Sequence, residues 1–136
     1  LVGSEMCIRD RLQVIAIPSI RTPKNIITMT SEILGENHIA INEVDKRAYL
    51  STLAISKYLV VTCDSTSMIS EAAITGKPVY VEELPAKKND YRFKKFRDLF
   101  TKLNIIKKLD KNLEDWTYKK LDESNRIAKE IQKKIY

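Results

Sequence analysis

Two short polar stretches carry the side chains best suited to chemistry: Ser19-Ile20-Arg21-Thr22 and Asp64-Ser65-Thr66-Ser67. Each follows an apolar run that reads as a buried strand. An arginine flanked by two hydroxyls can grip a phosphate, because the guanidinium fork matches phosphate oxygens and the hydroxyls add donors. The second stretch lies between a strand and the start of a helix, where unpaired backbone N–H groups and the helix dipole favour an anion. Ser65, Thr66 and Ser67 would supplement those amides around a diphosphate. Asp64 would repel a phosphate unless it turns sideways, toward backbone N–H groups of the first loop, which it would then orient. Glu71 lies about one turn into the helix, where a carboxylate can accept hydrogen bonds from ribose hydroxyls. A capping box from Ser67 would need Glu at the position that Ser70 occupies, so capping does not account for it.

A plainer reading exists for each group. Ser19 and Thr22 would cap turns beside a solvated Arg21, the 64–67 stretch would be an ordinary N-cap, and Glu71 a solvated first-turn acid.

These loops need rigid elements to hold them. Leu12-Gln-Val-Ile-Ala-Ile-Pro18 is a nearly continuous apolar run, as expected of a strand covered on both faces. Asn25 to Leu34 carries apolar residues at helical spacing and ends at Gly35, a natural C-cap. His38 to Ile41 reads as a second strand, with His38 structural rather than catalytic. Ala48 to Ile55 reads as a second helix, and Tyr58 to Thr62 as a β-branched strand. A helix from about Ser67 to Thr75, the turn Gly76-Lys77-Pro78 and a strand Val79–Val81 follow. Alternation of strand and helix with short connections implies βαβ crossovers and a parallel sheet. Residues 12–83 thus read as a Rossmann-like α/β unit, with ligands expected beyond the carboxyl ends of the strands. Amphipathic helices are expected over Tyr91–Leu103 and Leu121–Ile135, with Trp116 and Tyr118 as aromatic anchors that hold the C-terminal tail onto the sheet.

Composition removes several classes of function. The chain has 136 residues, 43% of them hydrophobic and 31% charged, enough for one domain with a real core. No apolar run approaches the length of a membrane span. Two distant cysteines without clustered histidines exclude a disulfide framework and a zinc site, and a single histidine leaves few routes to His-based catalysis. No GxGxxG or Walker motif occurs, and the chain has only 3 glycines. The net charge of +6 is uneven: residues 1–83 hold 8 basic and 10 acidic groups, residues 84–136 hold 16 and 8. Such a basic region can attract nucleic acid or anionic lipid. It lacks the aromatic interleaving of a nucleic-acid module, so nucleic acid is not an expected partner.

Residues 1–11 have no clear period and abut a strand without a turn signal. They are expected to be a non-native segment before a domain spanning 12–136, and the absence of an initiator Met points to an incomplete chain. With Cys7 set aside, Cys63 is the lone cysteine, which suits a reducing cytoplasm.

The run Tyr58-Leu-Val-Val-Thr-Cys-Asp-Ser-Thr-Ser-Met-Ile-Ser-Glu-Ala-Ala-Ile-Thr-Gly-Lys-Pro-Val-Tyr-Val81 resembles the mitochondrial fission protein family of the ELM type. That family is mostly bacterial, and some members are labelled nucleoside-diphosphate-sugar epimerases. Ser19-Ile-Arg-Thr-Pro23 is similar to the family's Ser-Arg-Arg-Thr-Pro, with Ile20 in place of an arginine. Trp116-Thr-Tyr118 before Leu121-Asp-Glu also matches, whereas Lys46-Arg47-Ala48 stands where Asn-Pro before Tyr49 is usual. More distantly, the pattern looks like the C-terminal domain of GT-B glycosyltransferases and UDP-sugar 2-epimerases. The resemblance implies a nucleotide-sugar site with Ser65, Thr66 and Ser67 at the diphosphate and Glu71 at the ribose, and no metal or cofactor. It also implies a missing N-terminal domain that would complete the cleft, so that this chain alone would bind without turnover. A non-catalytic interaction domain on the same scaffold is the alternative. The expected location is the cytoplasm, with the basic C-terminal region available to a membrane surface.

Overall fold

The computed structural model describes residues 12–85 and 91–135. In chain order the elements are β1 (Ile15–Ala16), α1 (Lys24–Leu34), β2 (Ile39–Ala40), α2 (Lys46–Ile55), β3 (Leu59–Thr62), α3 (Thr66–Ile74), β4 (Val79–Glu82), α4 (Tyr91–Lys102), β5 (Ile106–Lys108) and α5 (Glu123–Ile135). Every strand pairing is parallel, in one sheet of order β1-β2 and another of order β3-β4-β5. This is the α/β, Rossmann-like arrangement that the alternating pattern implies.

The core is built around β3, α3, β4 and β5. Leu59, Val61, Ile69, Val79, Ile105 and Ile106 are buried in it, with Phe100 closing it from α4. Ala72 and Ala73 let α3 lie close against the sheet, and both are fully buried. Val60 of β3 registers with Tyr80, and Thr62 with Glu82, so β3 and β4 end together. Among the described residues before β3, only Pro18 is buried. Ile26, Met29 and Ile33 of α1 remain substantially exposed.

The expected strand over 12–18 is reduced to two residues in β1. Among the described residues β1 pairs on one side only, through Ile39 N–H to the Val14 carbonyl and Ile41 N–H to the Ala16 carbonyl, each 2.9 Å. Its other side faces β3 across a cavity of about 510 Å³, lined by Ile15, Ile17, Val60, Val61 and Met68 among others. The single expected sheet is therefore parted between β1 and β3.

β5 was absent from the expected elements, and it begins where α4 ends in a Schellman turn. Ile105 N–H bonds the Phe100 carbonyl and Asn104 N–H the Thr101 carbonyl, both at 3.0 Å, with Asn104 left-handed at φ 57°. The turn stops the helix and drops Ile105 and Ile106 into the core. The aromatic anchors hold as expected. Trp116 stacks edge-on against Tyr80 at 5.1 Å and its indole N–H donates to the Asn104 carbonyl at 3.0 Å. His38 is structural, its Nδ1 accepting from Val14 N–H at 3.1 Å.

Candidate functional site

The loops after β1 and β3 come together. The Arg21 guanidinium donates to the Asp64 carbonyl at 3.1 Å and lies 3.8 Å from the Asp64 carboxylate. The two strands thus deliver their polar loops to one edge, beyond their carboxyl ends. Asp64 does turn sideways, but toward the Arg21 side chain rather than toward backbone N–H groups of the first loop. A second arginine, Arg97 of α4, donates to the neighbouring Cys63 carbonyl at 3.2 Å. Consecutive carbonyls of the Cys63-Asp64 turn are therefore held by guanidinium groups from two distant elements. In the sequence, the position of Arg97 on an amphipathic helix carries no sign of where its side chain points.

Ser19 and Thr22 brace their own loop. Thr22 Oγ1 accepts from Ser19 N–H at 2.9 Å and lies 3.2 Å from Ser19 Oγ, which also accepts from Arg21 N–H at 3.3 Å. This tight turn aims Arg21 across at Asp64.

The hydroxyl run after β3 divides its work. Ser65 is the N-cap of α3, nearly buried, its Oγ accepting from Met68 N–H at 3.4 Å. α3 accordingly begins at Thr66, one residue before Ser67. Thr66 is half-buried and Ser67 exposed at the open first turn. Among the described residues, the Thr66 and Ser67 amides have no acceptor, as expected of the first amides of a helix.

Glu71 is exposed on α3, and its Oε2 accepts from the Tyr49 hydroxyl of α2 at 2.6 Å. Burial pushes the Tyr49 phenol well above its ordinary pKa, and the Glu71 hydrogen bond and charge add to the rise. Nothing in the sequence around Tyr49 marks it as a partner of Glu71. Lys77 was expected only in a turn, yet its ammonium donates to the Leu53 and Ala54 carbonyls at the end of α2, at 2.6 and 2.5 Å. The cation there satisfies two carbonyls that the helix leaves open. Cys63 is a buried free thiol whose Sγ accepts from Leu84 N–H at 3.3 Å. Among the described residues no cluster of His, Cys, Asp and Glu is arranged for a metal, and no helix is long and apolar enough to cross a membrane.

The fold and the paired loops define an α/β protein of Rossmann-like architecture with its polar loops gathered at one strand edge. The family model described as mitochondrial fission ELM1 matches residues 4–135. The chain belongs to that family. The match takes in residues 4–11, which lie outside the described residues. The chain is 29% identical over 122 residues to the mitochondrial fission protein ELM1 of Arabidopsis thaliana, covering 86% of this chain and 28% of that protein. It is 36% identical over 87 residues to the uncharacterized protein RP120 of Rickettsia prowazekii, covering 62% of this chain and 24% of that protein. The chain thus spans about a quarter of the length of the curated relatives it matches. No solved structure matches it.

Proposed function

We propose that this chain binds a nucleotide sugar, as the donor-binding half of a GT-B-like glycosyltransferase or sugar-epimerase-like protein. The observation that carries the reading is Arg21 reaching the Asp64 turn, since it brings both polar loops to the first turn of α3. Ser19, Arg21 and Thr22 would face the diphosphate from one side, and Ser65, Thr66 and Ser67 from the other. Glu71, one turn along α3, would accept from the ribose. Asp64 would keep Arg21 in place, and a further domain of a longer protein would supply the acceptor and close the cleft. No metal or cofactor is required for binding of this kind, and a cytoplasmic setting agrees with the free thiol of Cys63.

Calorimetric titration of the chain with UDP, GDP, ADP and their sugar conjugates tests the reading. Binding to one nucleotide is expected, with Glu71→Ala weakening it by about 1.5–3 kcal/mol, the scale of a hydrogen bond to a charged group. Silence across the panel from a folded protein would overturn it. The competing reading, a non-catalytic interaction domain, draws support from the apolar side chains exposed on the first half, among them Ile20, Ile33 and Ile55.

A further inference from the structure

We propose that Tyr49 is a positioning residue that fixes the Glu71 carboxylate, and that the pair selects ribonucleotides over 2′-deoxyribonucleotides. The inference rests on the nucleotide-binding reading above. An exposed glutamate on a helix samples many rotamers, and immobilising it costs side-chain entropy each time a ligand binds. The 2.6 Å hydrogen bond from Tyr49 pins Oε2, and it comes from a separate helix, so the carboxylate is held before any ligand arrives. Tyr49 is itself half-buried on α2, and Lys77 holds the far end of that helix. With Oε2 engaged, Oε1 keeps its lone pairs for a sugar hydroxyl, and among the described residues it has no other partner. A ribose offers two adjacent hydroxyl donors to one such carboxylate. Removing the 2′-hydroxyl deletes a hydrogen bond to a charged group, one of the stronger kinds of polar contact. The phenol remains protonated near neutrality, because burial and the adjacent carboxylate both raise its pKa.

The test titrates the whole chain by calorimetry with ADP, GDP and UDP and with the 2′-deoxy counterpart of each. For the nucleotide that binds, the parent chain is expected to prefer the ribo form by about tenfold or more, the factor of one hydrogen bond to a charged group. Tyr49→Phe keeps the ring and should lower ribonucleotide affinity by about five- to tenfold while leaving the deoxy form nearly unchanged, so discrimination collapses. In a Glu71→Ala background the same substitution should have no further effect, since Tyr49 acts only through that carboxylate. Undiminished discrimination in Tyr49→Phe would overturn this inference and leave the nucleotide site standing. A loss shared equally by ribo and deoxy forms, or one that persists with Glu71→Ala, would also overturn it. Failure of the parent chain to bind any member of the panel would defeat the nucleotide reading itself.

Discussion

Arg21 donates from its guanidinium to the carbonyl of Asp64 at 3.1 Å, across a sequence separation of 43 residues. The two side chains are 59% and 49% exposed, so their ion pair contributes less than about 1 kcal/mol to stability. The contact therefore has more to do with aim than with folding. Arg21→Ala should leave urea denaturation within about 0.5 kcal/mol of the parent. The same change should weaken nucleoside diphosphate binding by about tenfold or more, as loss of a charge-assisted phosphate contact does. Arg21→Lys should recover little of it, because an ammonium lacks the planar fork. Calorimetric titration alongside denaturation separates the two effects.

Ser65 and Ser67 sit two residues apart and should differ in what they contribute to the fold. Ser65 caps α3 through the Met68 amide and is nearly buried, whereas Ser67 is exposed on the first turn. Ser65→Ala should cost about 1 kcal/mol of stability, the usual value of an N-cap. Ser67→Ala should be neutral in stability and should reduce nucleotide affinity. A matched pair of denaturation curves and titrations checks both halves of the expectation.

Much of this arrangement is legible in the chain because its signals are local. Apolar runs at Tyr58–Thr62 and Val79–Val81, the C-cap at Gly35 and the hydroxyl stretch before α3 each announce themselves within a few residues. Gly35 is indeed left-handed, at φ 61°. β5 escaped because three residues carry too little periodicity. Its signal lay instead in Asn104, a residue type that tolerates the left-handed turn ending α4. The site's supporting contacts escaped for a different reason. Arg97 to Cys63, Tyr49 to Glu71 and Lys77 to Leu53 span 34, 22 and 24 residues, and no pattern within one element specifies them. The parting of β1 from β3 was equally hidden, since an apolar run says that a strand is covered but not which neighbour covers it.

Lys77 gives a test of the scaffold that leaves the polar loops untouched. Its ammonium joins the Leu53 and Ala54 carbonyls to the turn before β4, tying α2 to the second sheet. Lys77→Met retains most of the aliphatic stem and removes the charge. It should lower stability by about 1 kcal/mol, a value reduced from that of a buried charged hydrogen bond because the group is only partly covered. Urea denaturation with an unchanged m-value would mark the loss as local to the native state.

Tyr118 ties the C-terminal tail to the turn between α3 and β4, its hydroxyl shared between the Ala73 and Lys77 carbonyls at 3.1 and 2.8 Å. Burial raises the phenol's pKa above its ordinary value, and the nearby Thr75 hydroxyl and Gly76 amide only partly oppose the rise. A group that holds its proton more tightly when folded adds stability that is complete below its unfolded pKa, about 10 for tyrosine, and is lost as pH climbs through the folded value. The chain should therefore lose stability above about pH 10 by more than its exposed tyrosines explain. Tyr118→Phe should be less stable at neutral pH by about 1 kcal/mol, having lost its hydrogen bonds. It should also show a shallower alkaline decline, and the two curves should converge as pH rises. Tyr49 and Tyr58, also raised, leave part of that decline in place, so adding Tyr49→Phe to Tyr118→Phe should flatten it further. Thermal denaturation of the parent chain and the single and double variants between pH 7 and pH 11, with parallel parent and variant curves as the contrary outcome, decides whether the Tyr118 phenol is the group that titrates.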